Sequence, residues 1–278
     1  MNSGKTQYKK LLLDTNIISN IAKNIDGLGI AFIDRFIAGG EYLICITPST
    51  ILELKEAERA YEASKALFKK LPCLITTTAK GILEKEVNQY YSDFEVDPIL
   101  FGAASVNVFL SYEDVMHIFE TDSQLREIID SEQDKFKDVL SEWSKKRSDA
   151  SEYFKKMGIT NYNEQCTIIN EGFKKDFFKT MKRDIQNDYP DFSGEIKVSK
   201  FPSMALIEFC LLNKIYLSKQ RLDGNDVNDI IITGIVPYVD AVITEKQQAN
   251  LFKQAKGKDY LKNIEIYTIS DIQIFNCK

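Results

Sequence analysis

Asp14, directly after Leu11-Leu12-Leu13, is the first residue of this chain placed to do chemistry. Three consecutive leucines read as a short strand buried on both faces, as in the middle of a parallel sheet. Open α/β sheets place their ligands at the C-terminal ends of such strands. Burial beside other acids would make Asp14 a poor proton donor and a good ligand for a hard cation. Other acids stand in similar settings. Glu53 falls in the first turns of a helix predicted from Pro48, close to the end of a second strand. Asp226 and Asp229 are three apart near the start of a later helical stretch, hence on one face of it. Glu245 closes the run Ala241-Val242-Ile243-Thr244. Asp14 and Glu53 each have a structural reading of equal weight. Asp is a preferred N-cap, and an acid near a helix N-terminus contributes about 0.3–1 kcal/mol with no chemistry attached. Asp240 begins the strand that Glu245 ends, roughly 13–17 Å away at strand rise.

The elements that must hold these residues follow from patterning. Asp14-Thr15-Asn16 supplies turn and cap chemistry before the amphipathic stretch Ile17–Ile25. Ile30 to Ala38 has helical spacing closed by Gly39-Gly40, and Glu41 to Thr47 reads as a second strand. A helix is predicted from Pro48 to about Lys70. Pro72 to Thr78 reads as a third strand or an extended link, followed by a helix through Tyr91 with Glu84 and Glu86 on its solvated face. Pro98 and Gly102 interrupt Asp93–Val106, which reads as loop plus a short helix. Ser123–Met157 and Asn163–Asp188 are helical in composition, with interleaved charges that mark solvated faces. Trp143, Tyr153, Phe154, Phe173, Phe177 and Phe178 also allow a basic, aromatic surface for RNA there, but solvated or core-packing helices are preferred. After Pro202 come an apolar helix to Lys214, the acid-bearing helix before Pro237 and a strand over Val239–Glu245. A helix over Gln247–Lys256 and a last strand, Ile264–Ile269, complete the pattern.

An apolar strand, Asp-Thr-Asn and an apolar helix start resemble the opening motif of PIN-domain nucleases. The acid-bearing helix followed by an apolar strand ending in Thr and an acid is similar to their closing half. The resemblance spans about Lys9–Glu86 and Pro202–Asp271. It implies an α/β fold, three layers (α/β/α) around a central, mostly parallel sheet. Residues 1–92 and 201–278 would form the PIN-like core, and 93–200 a helical insertion or cap. It implies Asp14, Glu53, Asp229 and Glu245 as the catalytic acids. Asp14, Glu53 and Asp229 would hold the main Mg²⁺ or Mn²⁺ ion, with Asp226 either the ligand on its helix or a neighbour behind it. Asn16 and Thr244 would orient ligands or water. Such an ion activates a water and stabilises the leaving oxygen of a phosphodiester. Glu245 departs from the family, which usually has Asp after that Thr, often two positions later, where this chain has Lys246. The implied activity is that of a metal-dependent endoribonuclease, toxin-like or self-contained, with RNA favoured over DNA. A protein inhibitor (antitoxin) or a second copy of the chain are further partners it allows.

Composition sets the outer limits. A net charge of −5 argues against a protein that merely coats nucleic acid and leaves a metal-dependent nuclease open. Five scattered cysteines form neither a zinc pattern nor a disulfide framework, and no apolar run spans a bilayer or suits a secretory signal. A cytoplasmic protein with reduced thiols is the expectation. His117, the sole histidine, excludes His-rich metal sites. Ser3-Gly4-Lys5-Thr6 is similar to the end of a P-loop but lacks its earlier glycine and its strand. A phosphotransferase of the haloacid-dehalogenase type, which also opens on a strand-borne Asp, needs an acid where Asn16 stands. A PIN-like module that binds RNA or a protein without cutting is the main alternative. A helical interaction protein on an α/β base, with no metal dependence, is the blandest one.

Overall fold

The computed structural model describes residues 8–91, 95–105, 108–194, 200–217, 224–257, 261 and 263–273; Ser3-Gly4-Lys5-Thr6 lies outside them. Its strands are β1 (Lys9–Leu13), β2 (Tyr42–Ile46), β3 (Cys73–Thr76), β4 (Ile99–Phe101), β5 (Ala103–Ser105), β6 (Val108–Phe109), β7 (Ala241–Ile243) and β8 (Glu265–Tyr267). Between them run α1 (Thr15–Lys23), α2 (Ile30–Phe32), α3 (Pro48–Glu56), α4 (Glu58–Phe68), α5 (Ala79–Tyr91) and α6 (Tyr112–Thr121). Then follow α7 (Ser123–Met157), α8 (Tyr162–Asp188), α9 (Pro202–Leu212), α10 (Gly224–Thr233), α11 (Lys246–Gly257) and α12 (Ile269–Gln273).

Six strands form one sheet in the order β4-β3-β2-β1-β7-β8. All its pairings are parallel except the antiparallel β3–β4. The triple leucine explains the centre of this sheet. Successive side chains of a strand point to opposite faces. Leu11 and Leu13 accordingly join Ile17, Phe32, Phe68 and Tyr112, whereas Leu12 joins Ile82, Leu206, Phe209 and Phe252. All three leucines are fully buried, each contributing about 1.5–3 kcal/mol. Helices therefore cover both faces, with α1, α4 and α6 on one and α5, α9 and α11 on the other.

Three readings of the sequence need correction. The helix from Pro48 is two helices, because Ala57 leaves helical geometry at φ −106°, ψ 66°. The stretch containing Pro98 and Gly102 is extended, not helical, and supplies β4 and β5. Gly102 adopts φ +118°, and a Cβ there would lie 2.5 Å from the Cys73 carbonyl oxygen. Gly102→Ala should therefore cost about 2–4 kcal/mol, a left-handed backbone added to a main-chain clash. A urea midpoint equal to wild type would contradict that. Third, Glu86 is fully buried, not solvated. Its Oε1 accepts hydrogen bonds from the Ser203 amide (2.8 Å) and the Tyr238 hydroxyl (2.7 Å).

The two long helices α7 and α8 appear where composition placed them. Phe177 and Ile185 of α8 pack with Phe192, Phe201, Met204 and Ile230, so α8 shares apolar core with the sheet-covering helices. Phe154 and Phe177 are buried, Phe173 and Phe178 lie partly buried against that core and Tyr153 is exposed, while the Trp143 side chain lies outside what the structure describes. The core-packing alternative holds for the phenylalanines. The join is incomplete, with a cavity of about 900 Å³ walled by Phe154, Ile168, Phe173, Met204, Leu211 and Tyr216. Among the described residues, no helix is long and apolar enough to cross a membrane.

Candidate active site

The strand order reverses at β1: β2 and β3 lie on one side of it, β7 and β8 on the other. That leaves a crevice at the C-terminal ends of β1 and β7, the topological switch point where open α/β sheets bind ligands. Asp14 sits at this point, 4% exposed. Its amide donates to the Ile243 carbonyl (3.2 Å), which extends the β1–β7 ladder by one residue and fixes the backbone. Asp14 has the extended N-cap conformation before α1, yet its side chain makes no capping hydrogen bond. Instead, Oδ2 accepts a hydrogen bond from Thr244 Oγ1 at 2.7 Å. The Asp14 side chain thus caps no helix, and its carboxylate is held by the Thr244 hydroxyl.

Glu53 arrives on α3. That helix is capped without it, by Thr47 Oγ1 accepting from the Thr50 amide at 3.0 Å. The Glu53 carboxylate accepts hydrogen bonds from the Thr15 hydroxyl and from Asn228. Thr15 belongs to α1 and Asn228 to α10, so one side chain joins the three helices around the crevice. Asp226 and Asp229 do share a face of α10, as their spacing predicts, and both meet Lys214 Nζ. Lys214–Asp226 is 2.8 Å long, and the side chain of Lys214 is only 6% exposed. Lys214 lies in a π-helical turn, Asn213–Leu217, that follows α9. Glu245 is exposed at the start of α11, where its carbonyl accepts the Ala249 amide at 2.8 Å. Asn16 is also exposed; its carbonyl accepts from Asn20, and among the described residues no hydrogen bond ties its side chain to the acids. Asp240 stands at the opposite end of β7, accepting the Lys10 amide at 2.7 Å.

The electrostatics tie these acids together. Burial first, then the neighbouring Asp229, Glu53 and Glu245, push the Asp14 carboxyl up to about 7, against the Thr244 hydrogen bond, which favours the ionised form. Burial also raises Glu53, partly offset by Thr15 and Asn228, with Asp229 and Glu56 adding to the rise. Burial works against the Lys214 ammonium, but Asp229 and Asp226 outweigh it and hold its pKa above the ordinary lysine value. Glu53, Asp229 and Glu245 thus all act on Asp14, while Lys214 pairs with Asp226 and Asp229. Among the described residues, no three carboxylate, thiol or imidazole side chains already stand in a metal-holding arrangement. The donors themselves are all oxygens, the set that suits Mg²⁺ or Mn²⁺.

Sequence reasoning missed Lys214, Thr15 and Asn228. Lys214 had a signal: it is the only basic residue between Phe201 and Leu217, in a strongly apolar run, and a cation in such a run needs an acidic partner. Thr244→Val should move the acidic limb of any Asp14-dependent activity upward by roughly one pH unit, because it removes a charge-assisted hydrogen bond that favours the ionised carboxylate. Thr244→Ser should restore the profile, and an unchanged profile in the valine variant would detach Thr244 from the chemistry. No protein-family model, curated protein or solved structure matches this chain.

Proposed function

We propose that this chain is a metal-dependent nuclease with a PIN-like three-layer core, an endoribonuclease hydrolysing phosphodiester bonds in RNA. The observation that carries this reading is the meeting of Asp14, Glu53 and Asp229, from a strand end and two helices, at the switch point of the sheet. Burial, with the repulsion of its acidic neighbours added to it, pushes the Asp14 carboxyl up to about 7, and a divalent cation would favour its ionised form. When bound, such an ion supplies an activated water and charge for the leaving oxygen. The residues do the positioning. Thr244 turns one Asp14 oxygen toward itself and leaves the other for a ligand, and Thr15 and Asn228 hold the Glu53 carboxylate beside it. Asp229 brings the third carboxylate from α10, and exposed Glu245 stands at the mouth. Helix α7 packs against both α3 and α10, so the insertion borders the crevice and helps shape what reaches it. RNA over DNA rests on the PIN resemblance alone.

The second reading is a PIN-like module that binds RNA or a protein partner without cutting. The ion pairs of Lys214 favour it, since one ammonium shared by Asp226 and Asp229 offsets part of the acidic charge without a metal. The deciding experiment incubates single-stranded RNA and DNA oligonucleotides with the wild type and with Asp14→Asn, in Mn²⁺, Mg²⁺ or EDTA. Metal-dependent cleavage that disappears in the variant supports the nuclease. A folded wild type that cuts neither polymer with either metal supports the binding module.

A further inference from the structure

We propose that the cavity walled by α5, α7, α8 and α9 is a binding site for a hydrophobic organic cation, an apolar body carrying a quaternary ammonium or amine head. The inference is independent of the nuclease reading. At about 900 Å³ the space falls in the range of pockets for drug-sized ligands. Packed interiors leave few voids larger than a water molecule, so a gap of this size is more than loose packing. Its inner wall is apolar: Leu83 and Val87 come from α5, Phe154 from α7, Phe177 from α8, and Met204 and Leu211 from α9. Further rings close it toward the π-helical turn Asn213–Leu217 that follows α9. Phe173 meets Tyr216 edge-to-face, 5.4 Å between ring centroids, and stacks on Phe177 at 6.0 Å. Aromatic faces attract cations, and quaternary ammonium groups are held in this way.

The charges around the cavity select the sign of the ligand. Five carboxylates line it, those of Glu84, Asp149, Asp176, Asp184 and Asp188, against the cations of Lys80, Lys146 and Arg183. Lys80 Nζ lies 3.7 Å from Glu84 Oε1, and Arg183 Nη2 lies 3.4 Å from Asp184 Oδ1. That leaves Asp149, Asp176 and Asp188 against Lys146, an excess of negative charge beside an apolar space. Burial first, then Asp176 of α8 and Asp149 of α7, hold the Tyr216 phenol above its ordinary pKa, so both carboxylates act on a ring that lines the cavity. An apolar body would fill the inner wall, and its cationic head would face Tyr216 and these acids.

The test uses two single-chain amphiphiles of opposite charge, decyltrimethylammonium and decanoate, each below its micelle-forming concentration. Calorimetric titration of the full chain at neutral pH should show the cation binding at least about tenfold more tightly than the anion. Gly172 lines the cavity, and a Cβ there meets nothing within 4 Å. Gly172→Trp, checked for folding by circular dichroism, should therefore block the space and abolish binding. If it does not fold, Ile168→Trp takes its place, since Ile168 lines the same cavity and is 37% exposed. Asp149→Asn combined with Asp176→Asn changes two exposed side chains and should weaken the cation about fivefold or more, with decanoate bound no more weakly than before. Tighter binding of decanoate by the wild type overturns the inference and makes this an anion site. Cation binding that survives the tryptophan lies elsewhere on the surface and overturns it too. So does an unchanged affinity in the double asparagine variant, or a wild type that binds neither amphiphile.

Discussion

Asp14→Asn is expected to abolish cleavage while making the metal-free protein more stable. The loss of activity should be about 10³-fold or more, a barrier increase of about 4 kcal/mol, because the central carboxylate of the crevice is gone. The gain in stability follows from linkage. Asp14 has a folded-state pKa of about 7, against 3.8 for a free aspartate. Between those values the folded chain binds the proton and the unfolded chain does not, so stability falls as pH rises through that window. Its contribution is intact below about pH 4 and lost above about pH 7, a change on the order of 4 kcal/mol. Asparagine keeps an oxygen for the Thr244 hydroxyl and removes the charge. It also sacrifices no helix cap, since Asp14 makes none. In EDTA at pH 8 the variant should melt above wild type, and at pH 4 the two should converge. Adding Mn²⁺ should reverse the order at pH 8, because an ion that binds only the folded wild type stabilises it by mass action. A variant less stable than wild type in EDTA at pH 8 would mean that Asp14 serves the fold, not a ligand.

The sequence made the centre of this structure legible because its pattern there has one solution. A run of three leucines ending at an aspartate suits a strand buried on both faces, and that strand is β1, with Asp14 at its C-terminal end. Asp226 and Asp229 could be placed on one face of a helix by spacing alone, and Lys214 contacts both. What was not legible depends on partners far along the chain. Ala57 breaks a helix with no Gly or Pro to announce it. Gly102 and Pro98 disguise β4, which exists because β3 offers it an edge to pair with. Glu53 is held by Thr15 and Asn228, which approach only once α1 and α10 pack beside α3. The family resemblance pointed to Asn16 and passed over Thr15, although the two are adjacent, because α1 turns Thr15 inward and Asn16 toward solvent.

Glu86→Gln is expected to remove a second loss of stability at neutral pH, one that belongs to the fold and not to the crevice. The Glu86 carboxyl joins α5 to the first turn of α9 through the Ser203 amide and to the segment before β7 through Tyr238. Ser203 Oγ in turn donates to the Gly234 carbonyl at 2.5 Å, so the junction also reaches the end of α10. Both donors act on Oε1, while Oε2 is buried with no hydrogen-bond partner among the described residues. Burial pushes the acid up to about 7, against the opposing pull of Tyr238 and Ser203. A glutamate free in the unfolded chain ionises near 4.5, so the folded state binds the proton between those values and stability falls as pH rises through them. The amount is on the order of 3 kcal/mol, complete above about pH 7. Glutamine offers the same carbonyl oxygen to Ser203 and Tyr238 and carries no charge. Urea midpoints of wild type and Glu86→Gln should therefore agree near pH 4.5 and separate toward pH 8, with the variant higher. Glu86→Ala should be lower than wild type at acid pH, since it orphans two buried donors at about 1–3 kcal/mol each. A Glu86→Gln variant that loses stability at pH 8 would show that the charge itself is needed. Glu86 would then have an ionic partner, and the junction behind α9 would be held by that pair instead of by neutral hydrogen bonds.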